Sequence, residues 1–186
     1  MKINPDNFTE KAWQVIVEAK DIALSKCHQT LETEHLLYSL LTNNEIAIKT
    51  IERSQGSLKN LLIQTEQFIK TQPKMQKPQE SVFFGKNISL SISNANNIKK
   101  YFHDTFISSE HLVISLFDDE RVCHRLFKQN GISKDSLLKA INEIRGNKKV
   151  TEKNSENIYE ALQKYGQDLT AAARDGKLDP VIGRDE

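Results

Sequence analysis

The chain has 186 residues with 26 basic and 25 acidic side chains, which leaves a formal net charge of +1. This even balance gives no basic footprint for nucleic acid, and no run approaches the roughly 18 apolar residues that a membrane span needs. Two cysteines, Cys27 and Cys123, are too few for a disulfide framework, and the N-terminus lacks an apolar signal core, so we expect a cytoplasmic protein. With 38% hydrophobic residues, part of the chain is expected to lie outside the core.

The first unit of the chain, residues 4–70, predicts four helices. Three residues are typical helix N-caps because a stripe of apolar residues at helical spacing follows each of them: Thr9, Thr33 and Ser57. A shorter helix is expected over 47–53, between the second and fourth helices, and Gly56 ends it. These elements predict a compact helical unit.

A connector and a second set of four helices follow. Residues 71–80 contain two prolines and no apolar periodicity, which marks them as the connector. The second unit, residues 84–146, predicts helices over 88–103, 109–117, 121–128 and 133–145. The helix order therefore repeats that of the first unit.

The two units also share sequence. TEHLLYSLL at 33–41 reappears as SEHLVISLF at 109–117, an offset of 76 residues, and Phe8 aligns with Phe84 at the same offset. Downstream, the alignment is expected to slip by one residue, so that Gly56 pairs with Gly131. A period this long with two copies differs from a solenoid. We therefore predict an all-α protein built from two similar helical units, with a groove where they meet.

The residues after the second unit contain too few apolar side chains to form a core of their own. Residues 146–157 are polar and nearly free of apolar side chains, so we interpret 147–165 as a flexible linker after a domain at 1–146. Residues 166–186 follow the linker and look like the truncated start of a further domain.

Catalytic and metal sites find little support in the sequence. His35 and His111 each lie near a helix start and are followed by apolar residues, so we favour a structural role, in which the ring packs inward and bonds a loop carbonyl. The pairs Cys27-His28 and Cys123-His124 contain zinc-type donors, but they lie 96 residues apart and adjacent helical residues point in different directions. Phosphate-binding, dinucleotide-binding and hydrolase motifs are absent. We predict a non-enzymatic chain without a metal or cofactor; a metal-dependent enzyme is the disfavoured alternative.

The repeated Thr/Ser-Glu-His-Leu helices resemble the Clp N domain, the mobile front module of Clp-family unfolding ATPases, over about residues 4–145. The stretches YEALQKYGQDLT at 159–170 and GKLDPVIGRDE at 176–186 are similar to the start of the first AAA+ ATPase domain in the ClpB disaggregase family. The resemblance implies a pseudo-two-fold, eight-helix fold. ATP and Mg would belong to the full-length parent, since the chain ends before a Walker A loop.

The resemblance also implies a function. ClpB-type proteins are homohexamers that thread aggregated chains through a pore together with the DnaK chaperone system, and their N domain captures exposed apolar segments. Three substrate-contact positions of the family match Thr9, Asp104 and Glu110 in this chain, whereas His103 departs from the small residue usual there. The fragment alone is expected to be monomeric, with unfolded or aggregated proteins as partners and neither nucleic acid nor membrane. The alternative is a docking domain for adaptor proteins in a ClpC-like, protease-associated unfoldase.

Overall fold

The computed structural model describes residues 3–157. This part of the chain forms eight α-helices, and the predicted all-α fold is confirmed. The first unit contains a 3₁₀ turn (Pro5–Asn7), α1 (Glu10–Ser25), β1 (Thr30–Leu31), α2 (Thr33–Asn43), α3 (Glu45–Arg53) and α4 (Leu58–Thr71). The second unit contains β2 (Phe83–Phe84), α5 (Lys86–Tyr101), α6 (Ser109–Phe117), α7 (Cys123–Gln129) and α8 (Lys134–Arg145).

The N-caps explain where several helices begin. Thr9 Oγ1 accepts a hydrogen bond from the N–H of Ala12 (3.2 Å), and Ser57 Oγ caps α4 in the same way, as predicted. The prediction for α2 is wrong by one residue, because Glu32 is the N-cap and Thr33 is already helical. Helix α6 has the predicted bounds.

The central helices of the two units are packed in the same way. Ser39 on α2 donates to the carbonyl of Val15 on α1 (2.9 Å), and Ser115 on α6 donates to the carbonyl of Ser91 on α5. Each residue of the second bond lies 76 positions after its counterpart in the first. Helices α2 and α6 are buried along most of their length, including polar side chains near their starts. The duplicated sequence therefore builds duplicated packing.

The first helix of each unit ends in the same turn. Cys27 and His103 both adopt a φ of 59°, the left-handed conformation of a Schellman C-cap. In each turn the next residue donates its N–H back into the helix: His28 to the carbonyl of Ala23 (2.9 Å) and Asp104 to that of Lys99 (3.0 Å). The turn thus places His28 and Asp104 at equivalent points of the two units.

The predicted slip between Gly56 and Gly131 is wrong. Gly131 has a φ of +73°, and the residue in the matching turn of the first unit is Gln55, with a φ of 66°. The offset of 76 residues is therefore kept at this turn. Glycine usually occupies such a left-handed C-cap, but here glutamine occupies it in one copy, which hid the equivalence.

Short strands interlock the two units. Strand β1 pairs in parallel with β2, with Leu31 opposite Phe84, and Phe8 forms a parallel bridge with Ile107. Leu31 and Ile107 are 76 residues apart, as are Phe8 and Phe84. Each unit therefore extends one strand to the other, and the seam between them has pseudo-two-fold symmetry.

One hydrophobic core runs through both units. It includes the inward residues of the two central helices, among them Leu36, Leu40, Leu112 and Leu116, all nearly inaccessible to solvent. Val17 on α1 lies outside this core and is 40% exposed. No helix within residues 3–157 has the length and apolar character needed to cross a membrane.

The residues after α8 differ from the expected flexible linker. Val150 is fully buried beside Ile46 and Ile144, and its carbonyl accepts a hydrogen bond from the N–H of Thr105 (2.7 Å). Residues 148–156 therefore pack on the helices, because one apolar side chain and several backbone groups find partners there. The rest of the predicted linker, 158–165, and the segment 166–186 lie outside the described residues.

Candidate substrate-binding site

The start of α6 is built around His111. The N–H of Ser108 donates to His111 Nδ1 (2.9 Å), so the ring carries its hydrogen on Nε2, which donates to Asp104 Oδ2 (2.7 Å). The first unit repeats the first bond, from the N–H of Glu32 to His35 Nδ1 (3.0 Å). Both histidines are structural, but the Nδ1 partner is a backbone N–H rather than the loop carbonyl that we expected.

Asp104 lies at the centre of a charged cluster. Arg145 binds it through two nitrogens, with Nη1 2.8 Å from Oδ2 and Nη2 2.7 Å from Oδ1, and the N–H of Val150 donates to Oδ1 (2.9 Å). Burial by itself raises the pKa of Asp104, but the hydrogen bonds from His111, Arg145 and Val150 outweigh it and lower the pKa to about 2. Asp104 is therefore a fixed negative charge.

Glu110 and Glu156 bring two more carboxylates to the same cluster. Glu110 is fully buried, with Oε2 3.4 Å from Arg145 Nε. Glu156 accepts hydrogen bonds from the hydroxyls of Thr9 and Ser109 and from the N–H of Ser109 (3.2 Å). Burial, and then the neighbouring Glu110, raise the pKa of Glu156 to about 7.

The three predicted contact residues are brought together, but they are not exposed. Glu156 contacts Thr9, Arg145 contacts Asp104, and the charge of Glu110 acts on both of these partners. Thr9 and Glu110 are 0% exposed and Asp104 is 7% exposed. The sequence analysis missed Arg145 and Glu156, because a basic residue at a helix end and a glutamate in a polar stretch carry no local signal.

A cavity lies between the two units, beside this cluster. It has a volume of about 200 Å³. Its apolar lining comes from Ile3, Phe8, Ile92 and Ile107, and its polar lining consists of Asn4, Asn7, Ser93 and Asn96. Phe8 and Ile107 form the bridge next to Thr9, whose N–H donates to the carbonyl of Ile107 (2.9 Å). This seam cavity is the groove expected where the units meet.

The matching face of the first unit has different chemistry. His35 donates to His28 Nδ1 (2.8 Å), where the second unit has His111 and Asp104. Burial lowers the pKa of His35 to about 4 and also lowers that of His28. Glu34 binds Arg121 (2.9 Å), and these four side chains line a cavity of about 210 Å³. No group of three or more metal-type donors occurs within residues 3–157.

The Clp repeat (R) N-terminal domain family matches residues 7–130, which contain most of both helical units. The chain belongs to this family. The match confirms the resemblance shown by the repeated helices. The family assignment covers the residues that build the seam, and the Clp N domain therefore includes Thr9, Asp104 and Glu110.

Relatives and solved structures agree with this assignment. The chain is 47% identical over 186 residues to the chaperone protein ClpB of Prochlorococcus marinus and spans 22% of that protein's length. The N-terminal domain of Hsp104 from Candida albicans has the same fold (TM-score 0.71, 19% identity, 79% of this chain and 97% of that one). A ClpV N-domain in complex with a VipB peptide is also similar in fold (TM-score 0.59, 14% identity, 76% and 91%). The Clp N domain described here is thus similar to ClpB in sequence and to the Hsp104 and ClpV N-domains in fold.

Proposed function

We propose that this domain recognises substrates for a ClpB-type chaperone by capturing exposed hydrophobic segments of unfolded or aggregated proteins. The observation that carries the proposal is the seam cavity, which has an apolar floor of the buried residues Phe8, Ile92 and Ile107, the partly exposed Ile3 beside it, and asparagines at its rim. Peptide sites on proteins commonly combine these two features. The domain is a binding module in this proposal, without a cofactor or a reaction of its own.

The expected affinity is modest. A client segment that buries about 300 Å² of apolar surface gains roughly 7 kcal/mol before costs. Loss of translational freedom and ordering of the client offset much of this gain, which leaves an affinity on the order of 100 μM. Weak capture suits a domain that transfers its substrate to another part of the same protein.

The remaining steps belong to the rest of a full-length protein. We propose that the parent is a homohexamer that uses ATP and Mg to extract the captured chain, with the DnaK system as partner. The relatives' length supports this division, since the chain spans 22% of the ClpB protein from Prochlorococcus marinus. A docking domain for adaptor proteins is the alternative, and it is favoured if folded adaptors bind while unfolded chains do not.

The seam cavity provides the test. Ser93 is exposed on its rim, so Ser93→Trp obstructs the opening and Ser93→Ala leaves it open. The probe is fluorescein-labelled α-lactalbumin, reduced and carboxymethylated to keep it unfolded, and binding is followed by fluorescence anisotropy. We expect Ser93→Trp to weaken binding at least five-fold and Ser93→Ala to match the unsubstituted chain. Equal binding by both variants, or no binding by the unsubstituted chain, contradicts the proposal.

A further inference from the structure

Residues 148–156, which we call the strap, cover the positions that the family resemblance assigns to substrate. Its first contacts are with Asp104 and its neighbour. The N–H of Val150 donates to the Asp104 carboxylate (2.9 Å), and the carbonyl of Val150 accepts from the N–H of Thr105 (2.7 Å). The Val150 side chain then fills a small apolar cluster with Phe106 at its edge.

The second half of the strap covers the starts of α1 and α6. The carbonyl of Lys153 accepts from the N–H of Glu10 (2.8 Å), at the first residue of α1. Glu156 then binds the hydroxyl of Thr9 and both the hydroxyl and the N–H of Ser109. Two of the three assigned residues, Thr9 and Asp104, thus each make a side-chain hydrogen bond to the strap. A client cannot reach them in this arrangement.

The first unit shows what the strap adds to the second. Its own residue Glu32 provides a carboxylate at the seam, where the side chain accepts from the N–H of Ile88 at the start of α5 in the second unit (3.1 Å). The position that matches Glu32 in the second unit is Ser108, whose side chain is too short for this contact. Glu156 supplies the missing carboxylate from the strap, which follows the second repeat in the chain. Because Glu156 is not part of the repeat, it can dissociate from Thr9 and Ser109 together with the strap.

The strap has little apolar anchorage. Residues 151–154 are all exposed, and Val150 is its one buried apolar side chain. Glu156 also places a carboxylate near the buried carboxylate of Glu110, and like charges oppose each other there. Segments with few buried apolar contacts need less free energy to open locally than the core of a protein does. We therefore expect the strap to open while the helices stay folded.

We infer that the strap covers a polar part of the substrate site, next to the seam cavity, and that a client segment gains access to Thr9, Asp104 and Glu110 by displacing it. This inference rests on the proposed function. The chain after α8 then regulates capture. Closing the strap protects the charged cluster from solvent, and opening it exposes the polar residues beside the seam cavity.

Two strap variants and one control test the inference in the 186-residue chain. Val150→Asp places a charge in the apolar cluster, and Glu156→Ala removes three hydrogen bonds, whereas Glu152→Ala changes an exposed strap side chain. The probe is the labelled, unfolded α-lactalbumin used above. We expect both strap variants to bind it at least five-fold more tightly, with the control unchanged.

Amide hydrogen exchange provides the second measurement. The N–H groups of Thr105 and Glu10 donate to the strap, so they should exchange faster in both strap variants and in the unsubstituted chain when the probe is added. The amides of Leu40 and Leu116 report that the core stays folded. Unchanged affinity in variants that exchange faster at Thr105 and Glu10 overturns the inference and leaves the proposed function standing. No binding by any of the chains overturns both.

Discussion

Asn44 Nδ2 in the first unit donates a 2.7 Å hydrogen bond to Ser109 Oγ in the second. A second hydrogen bond joins the units at the corresponding place on the other side of the seam, from Thr33 Oγ1 to Asp119 Oδ2 (2.8 Å). Asn44 and Asp119 also accept from the N–H three residues further on, Ala47 (2.8 Å) and Val122 (3.1 Å). Asn44, the N-cap of α3, and Asp119, in the turn before α7, thus join the units in a reciprocal pattern like that of a two-fold dimer interface.

Replacing Asn44 should therefore cost more than replacing an ordinary cap. Asn44→Ala removes both the cap of α3 and the bond to Ser109, and we expect a loss of about 2 kcal/mol in the free energy of unfolding. Ser57→Ala is the matched control, because Ser57 is an exposed cap inside one unit, and its expected loss is about 1 kcal/mol. Urea unfolding followed by circular dichroism measures both. Equal losses mean that the bond across the seam contributes nothing.

The left-handed turn at Gln55 predicts a stabilising substitution. Gln55 is exposed with a φ of 66°, so Gln55→Gly should raise the free energy of unfolding by about 1 kcal/mol. The reverse change at the equivalent turn, Gly131→Ala, should lower it by a similar amount, since its φ is +73° and nothing crowds the site. Thermal unfolding of the two variants measures both effects. Unfolding temperatures equal to that of the unsubstituted chain would show that these exposed turns are insensitive to residue type and would contradict the prediction.

The charged cluster predicts how stability responds to acid. The pKa of Asp104 is depressed to about 2, so its contribution is present above its ordinary value near 3.8 and is lost as pH falls towards 2. Asp104→Asn leaves Arg145 without its bidentate partner and should cost about 3 kcal/mol at pH 7. Urea unfolding at pH 7, 4 and 2 measures the free energy of unfolding of Asp104→Asn and of the unsubstituted chain. The difference between the two values should become smaller as the pH falls. A difference that stays constant with pH contradicts the assignment.

The strap should respond to pH in the opposite direction. Because the pKa of Glu156 is raised to about 7, the closed strap holds a proton that the released strap gives up between about pH 4.5 and 7. Its closure therefore weakens as pH rises through this window, because burial and the charge of Glu110 oppose the negative charge of Glu156 more than the hydrogen bonds from Ser109 and Thr9 favour it. The exchange protection of the Thr105 amide should fall from pH 5 to 7.5 in the unsubstituted chain. In Glu156→Gln, which cannot titrate, protection should stay constant.

Local sequence signals predicted the helices well. Caps such as Thr9 and Ser57, and apolar residues at helical spacing, act within a few positions and need no tertiary information. The turn at Gln55 was missed because a glutamine, and not the glycine that usually marks such a turn, adopts the left-handed conformation there. The repeat was visible in the sequence because its two copies retain the same buried helix.

The site was harder to predict because its contacts are long-range. Thr9 and Glu156 are separated by 147 positions, and Asp104 and Arg145 by 41. The one apolar residue that anchors the strap, Val150, lies in a polar stretch that shows no periodicity. Composition alone therefore favoured a flexible linker, whereas burial of one valine and one carboxylate is enough to hold residues 148–156 on the domain.

The central claim is that unfolded chains bind at the seam between the duplicated units. NMR of the isotope-labelled chain, titrated with reduced and carboxymethylated α-lactalbumin, tests it most directly. We predict that the amide shifts change first at Asn7, Phe8, Ile92, Asn96 and Ile107, which line the seam cavity. Changes confined to residues away from the seam cavity, such as His28 and Arg121, or no changes at saturating probe, would contradict the account.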